Sequence, residues 1–148
     1  MYRNILVATD GSELAGRGVE QAVALAAALR AALVVVTVSE PWSAALADPT
    51  GLTTSSELLE DYRAGAQAQA ERILAAAQAA AAARDVSASV VYVPEREPAD
   101  AILETAAAHG CDLLVMASHG RRGLGRLLLG SQTQAVITRS QVPVLVVR

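Results

Sequence analysis

Asn4-Ile-Leu-Val-Ala-Thr-Asp-Gly-Ser12 and Asp112-Leu-Leu-Val-Met-Ala-Ser-His-Gly120 share one plan: a continuous apolar run that breaks off at a small polar turn. A strand with one face in water alternates apolar and polar residues. Unbroken runs such as Ile5–Ala8 and Leu113–Ala117 instead predict parallel strands covered on both faces. Leu33–Val38 and Val144–Val147 are of the same kind. A fifth run, Ala88–Val93, sets Val90, Val91 and Val93 against Ser89 and Tyr92 and reads as an edge strand. Helical patterns cover 13–31, 55–84, 98–109 and 132–140. The first places Leu14, Val23, Leu25 and Leu29 among alanines, and the second puts Leu58, Leu59, Tyr62, Ile73 and Leu74 on one side. Thr54-x-x-Glu57 and Ser131-x-x-Gln134 have capping-box spacing, and Pro98 suits a first helical turn. The alanine-rich stretch within 64–83 reads as helix because alanine is the strongest helix former. Strands separated by helices need right-handed crossovers, so the fold class is α/β: a single doubly wound five-stranded parallel sheet with helices on both faces. The 14-residue gap at 41–54 is read as a surface loop.

The chain has 148 residues, and one domain, 1–148, fills it. With 53% hydrophobic residues a packed core is available, and a net charge of -3 argues against broad nucleic-acid binding. All 12 basic residues are arginine. The absence of lysine excludes a Walker A phosphate loop, a Schiff-base enzyme and a lysine phosphoryl clamp. Cys111 is the only cysteine, so no internal disulfide forms, and Cys and His show no metal-ligand spacing. The most apolar helical stretch, Ala75–Ala83, contains Gln78, lies between Arg72 and Arg84, and is shorter than the roughly 20 residues of a membrane span. With no export signal, a reducing cytoplasmic setting is expected.

Ligands of an open parallel sheet sit beyond the carboxyl ends of its strands, where the strand order reverses. Two segments stand at such ends: Thr9-Asp10-Gly11-Ser12, and Ala117-Ser118-His119-Gly120 leading to Gly130-Ser131. Residues 120–131 hold Gly120, Gly123, Gly125 and Gly130 with Arg121, Arg122 and Arg126, and no acid. Such a stretch turns backbone N–H groups toward an anion and ends at a helix N-terminus, which suits a phosphate. It equally describes a loop with arginines on its solvated side. Gly125-x-x-x-x-Gly130-Ser131 lacks the Walker lysine, and no Gly-x-Gly-x-x-Gly fingerprint occurs. Asp10 reads as a turn residue or as part of the site. His119 contacts phosphate or shapes the loop; Trp42 and Tyr62 cover a ligand or pack the 41–54 connection. Cys111 and Asp112 fall on the opposite rim from Asp10, about 20 Å away across one strand. His109, before Gly110, suits a cap on helix carbonyls. No Gly-x-Ser-x-Gly elbow is present, and no residue qualifies as a general base for attack on a γ-phosphate.

Taken in order and spacing, three segments resemble the universal stress protein family along essentially the whole chain. They are Asn4–Ser12, Asp112–Gly120 and Gly130-Ser131, closed by Val142-Pro-Val-Leu-Val-Val147. The nucleotide-binding branch of that family carries Gly-x2-Gly-x9-Gly-Ser/Thr. Here the pattern reads Ala117-x2-Gly120-x9-Gly130-Ser131, with alanine at the first position. The resemblance implies ATP with Mg2+, Asp10 near the ribose and the phosphate-bound metal, and the Val38 backbone at the adenine edge. It implies Gly120, Gly130 and Ser131 on the phosphates and Ala117 lining the site, with Thr9, Ser118, His119, Arg121, Gly123 and Gln132 completing the set. It further implies strand order 3-2-1-4-5 and a nucleotide-dependent stress-response sensor or interaction module. In that order the last strand is an apolar edge, which predicts a homodimer through it. No membrane partner is expected. Two alternatives stand beside this reading: slow ATP hydrolysis or self-phosphorylation at Ser131 or Thr133, and a nucleotide-free dimer that binds partners, which the alanine at 117 favours.

Overall fold

The five apolar runs become five strands, β1 (Asn4–Ala8), β2 (Ala32–Val38), β3 (Ala88–Val93), β4 (Leu113–Ala117) and β5 (Val144–Val147). Among the described residues four helices alternate with them: α1 (Glu13–Leu29), α2 (Ser55–Ala82), α3 (Pro98–Ala108) and α4 (Ser131–Arg139). This computed structural model describes residues 1–43, 50, 55–120 and 129–148. The strands form one parallel sheet in the expected order β3-β2-β1-β4-β5. β1 lies between β2 and β4, with Ile5 in register with Leu33 on one side and Leu113 on the other. The chain therefore winds outward in both directions from β1 and β4.

The pleat explains why the runs are unbroken. Ile5, Val7, Leu33, Val35, Leu113 and Val115 face a core completed by α1 and α2, through Val19, Val23, Leu74 and Ala77. Their neighbours Leu6, Val34, Val36, Leu114 and Met116 face a second core with Ala99, Ile102 and Ala106 of α3 and Val136 of α4. Each strand thus needs apolar residues at both phases of its period-two repeat. β3, as expected, is an edge.

Two local expectations change. The buried stripe of α1 is Ala15, Gly18, Val19, Ala22, Val23 and Ala26, whereas Leu14, Leu25 and Leu29 are only half-buried. The helix lies close to β4, where a methyl group on Gly18 would make ordinary contact with the Ala117 nitrogen at 3.8 Å. The capping box at Ser131 does not form. Gly130 is the N-cap, the Gln134 N–H donates to the Gly130 carbonyl at 2.9 Å, and Ser131 is the first helical residue. Thr54, of the other capping box, and most of the 41–54 connection lie outside the described residues.

At the amino rim, the Asp112 carboxylate accepts the Arg3 N–H at 2.9 and 3.1 Å and the Asn4 N–H at 3.0 Å. His109 Nδ1 lies 3.0 Å from the Thr105 carbonyl and so caps the end of α3. Burial, and then the charge of Asp112, push the Cys111 thiol up to about 11. Such a thiol is a poor nucleophile at neutral pH. No helix among the described residues is long and apolar enough to cross a membrane.

Candidate functional site

β1 delivers the chain to the carboxyl rim at Thr9, which is buried and donates its N–H to the Val36 carbonyl at 3.0 Å. Asp10 and Gly11 then reverse direction. The Ser12 N–H donates to Asp10 Oδ1 at 2.9 Å, the Gly11 N–H to Thr9 Oγ1 at 3.2 Å, and Gly11 takes a φ of 77°. Asp10 is therefore a turn residue, and the same turn sets its carboxylate against residue 120. A Cβ at Gly120 would lie 2.5 Å from Asp10 Oδ2. Glycine at 120 is what lets the carboxylate stand there.

β4 reaches the same rim at Ala117 and Ser118, both buried. The chain returns at Gly130, whose N–H donates to the Ser118 carbonyl at 2.7 Å. A Cβ on Gly130 would come within 3.1 Å of His119 Cα and 3.2 Å of the Ser118 oxygen, so its glycine serves a backbone crossing. The Thr133 hydroxyl donates to the Ala117 carbonyl at 2.8 Å and is buried, which removes it as a phosphoryl acceptor and leaves Ser131, exposed, of the two candidates. Gly130, as the N-cap, has no side chain with which to cap α4. The N–H groups of Ser131, Gln132 and Thr133 precede its first intrahelical bond, so they face outward at the positive end of the helix dipole.

These elements enclose a cleft of about 1070 Å³. Of the expected set, Thr9, Asp10, Val38, Ala117, His119, Gly120, Gly130, Ser131 and Gln132 line it. Ser118 stands behind the wall, with its hydroxyl 3.2 Å from His119 Nδ1 and its carbonyl on Gly130. Arg121 and Gly123 lie outside the described residues. Thr37, Ile102, Met116 and Tyr92 also line the cleft and were not anticipated. Thr37 carried a signal, as the one polar residue within the Leu33–Val38 run; the others read as ordinary core. Tyr62 lines the cleft and donates its hydroxyl to the Glu40 carbonyl, with burial the main cause that raises its pKa. Trp42 is half-buried and does not line it. Among the described residues, no three His, Cys, Asp or Glu side chains converge on a metal position.

A whole-chain match, over residues 1–148, is found to the universal stress protein family. The chain belongs to that family. Universal stress protein YxiE of Bacillus subtilis is 33% identical over 149 residues, covering 100% of both chains. A Thermus aquaticus universal stress protein, named for its place in the QAH/OAS sulfhydrylase 3′ region, is 36% identical over 148 residues and 100% of both chains. Among solved structures, protein MJ0577 of Methanocaldococcus jannaschii superposes with a TM-score of 0.82 at 25% identity, covering 99% of this chain and 96% of that one. A universal stress protein in complex with cAMP gives 0.70 at 29% identity, covering 99% and 97%.

Proposed function

We propose that this universal stress protein binds ATP with Mg2+ in the cleft between β1 and β4 and works as a nucleotide-dependent stress-response sensor or interaction module. The observation that carries the reading is the meeting of Asp10 with the start of α4 across Gly120. Backbone N–H groups at a helix start suit phosphate oxygens. A carboxylate on the other side suits a divalent cation that takes its remaining ligands from those oxygens and from water. Asp10 is the protein's ligand in this reading. Val38, Ile102 and Met116 offer an apolar wall to a base. The relative in complex with cAMP supports an adenine nucleotide.

Ala117 is compatible with this arrangement. It follows Leu113 and Val115 in the pleat, so its methyl group is on the α1 side of the sheet, away from α4. We extend the proposal to a homodimer joined through β5, whose Leu145 is exposed at the sheet edge.

Calorimetric titration with Mg-ATP, cAMP and adenosine, with mass spectrometry of the protein as purified, tests the reading. Saturable binding in which Mg2+ strengthens the ATP complex is the expected result. Folded protein that binds none of the three would make it a nucleotide-free partner-binding module. A covalent phosphate found on Ser131 would favour self-phosphorylation.

A further inference from the structure

The start of α4 is tied to the sheet on one side, through Gly130 to Ser118 and Thr133 to Ala117. On its other side its first turn is hydrogen-bonded to α3 through Gln132, while the far end of α4 meets α3 through the Arg139–Asp100 ion pair at 2.7 Å. Gln132 Oε1 accepts the Ala99 N–H at 3.0 Å, and its Nε2 donates to Glu97 Oε1 at 2.6 Å. α3 needs this contact: Glu97 occupies its N-cap with no side-chain hydrogen bond into the helix, and Pro98 brings no N–H. Gln132 thus caps α3 from a neighbouring helix. Its amide is committed at both ends, although the residue lines the cleft.

We propose that Gln132 is a positioning residue for the phosphate end of the nucleotide: it registers the first turn of α4 against α3 and does not use its side chain on the ligand. Hydrogen bonds to sheet and helix hold the Ser131–Thr133 N–H groups from two sides, so the donors are arrayed before the anion arrives. An array of this kind spares binding the cost of ordering it. Glu97 acts through the same bridge while lying outside the cleft lining. The inference rests on the nucleotide reading above.

Two variants separate positioning from direct contact. Gln132→Ala should weaken Mg-ATP by about fivefold or more and change adenosine, which has no phosphate, by less than about twofold. Glu97→Ala removes a negative charge near the phosphates, which by charge alone would strengthen ATP. Through the bridge it should weaken ATP by several-fold, and Glu97→Gln, which keeps an acceptor oxygen, should restore most of the affinity. The double variant Gln132→Ala/Glu97→Ala should bind ATP no more weakly than Gln132→Ala does, because with the bridge already broken only the charge effect of Glu97 remains. The proposal is overturned if Glu97→Ala leaves or raises ATP affinity while Gln132→Ala lowers it, because Gln132 would then touch the ligand. Equal losses for ATP and adenosine would overturn it too, as a general loss of packing. Should the wild-type protein bind neither molecule, the nucleotide reading itself falls, and this inference with it; circular dichroism on each variant confirms that folded chains are compared.

Discussion

At Gly130 one methyl group decides the geometry of the cleft. Alanine there would press on His119 Cα and the Ser118 oxygen, which are backbone or backbone-attached and cannot rotate aside. The crossing must open, and the 2.7 Å bond from Gly130 to Ser118 lengthens with it. Gly130→Ala should therefore weaken ATP at least about tenfold, ~1.4 kcal/mol, by calorimetry. Unchanged affinity would move the phosphates away from α4. Gly120→Ala acts differently, because its clash is with a side-chain oxygen: Asp10 Oδ2 has to swing away. Its loss of ATP affinity should be large with Mg2+ and small in EDTA, and a loss equal in both would deny Asp10 the cation. Ala117→Gly should preserve or tighten binding. The spacing of 117, 120, 130 and 131 was legible in the sequence, as was the rim they occupy. What each glycine makes room for was not, since a carboxylate in one case and a crossing chain in the other come from residues far away in sequence.

β5 shows how an element divides its two edges. Leu114 donates to the Pro143 carbonyl at 3.0 Å and Ser118 to the Val147 carbonyl at 2.8 Å. In a parallel strand the N–H and C=O of one residue point the same way and alternate from residue to residue, so Leu145 faces β4 while Val144 and Val146 face outward. Val146→Pro removes an outward N–H only. It should give folded monomers by light scattering, whereas Leu145→Pro should break the ladder to β4 and lower the melting temperature. A Val146→Pro protein that stays dimeric places the interface elsewhere. Strands were the most legible elements here, because both phases of each central strand are buried and leave an unbroken apolar run. α1 was legible as a helix but not in its buried face. Leucine marks burial by bulk, and this helix packs by alanine and glycine where it approaches Ala117. The helix start at Ser131 was misplaced by one residue because a cap is defined by backbone angles, and Gly130 adopts them. Gln132 was expected at the site, yet its bridge to α3 joins positions 33 apart and has no local signature.

On the scale of the molecule, the amino rim is closed by a carboxylate. Burial opposes the charge on Asp112, but the N–H groups of Arg3 and Asn4 outweigh it and hold its pKa below the usual aspartate range. A carboxyl lowered on folding stabilises the fold above its unfolded pKa of about 4, and that contribution disappears as pH falls through the lower folded value. Acid titration followed by circular dichroism should therefore show stability falling below about pH 4, with part of the slope missing in Asp112→Asn. An unchanged slope would place the titrating group elsewhere. The same contact has a consequence in time. Asn4 and Asp112 are 108 positions apart, and β1 has β4 as a direct neighbour. Pairings of such long range close late, after the large loop between them has been ordered. During synthesis Asp10 emerges long before Gly120 and the start of α4. Until Gly120 and the start of α4 have emerged, a ribosome-bound chain has half a cleft, so on the proposed reading nucleotide can reward only a chain that has reached α4 and would act as a late check on folding.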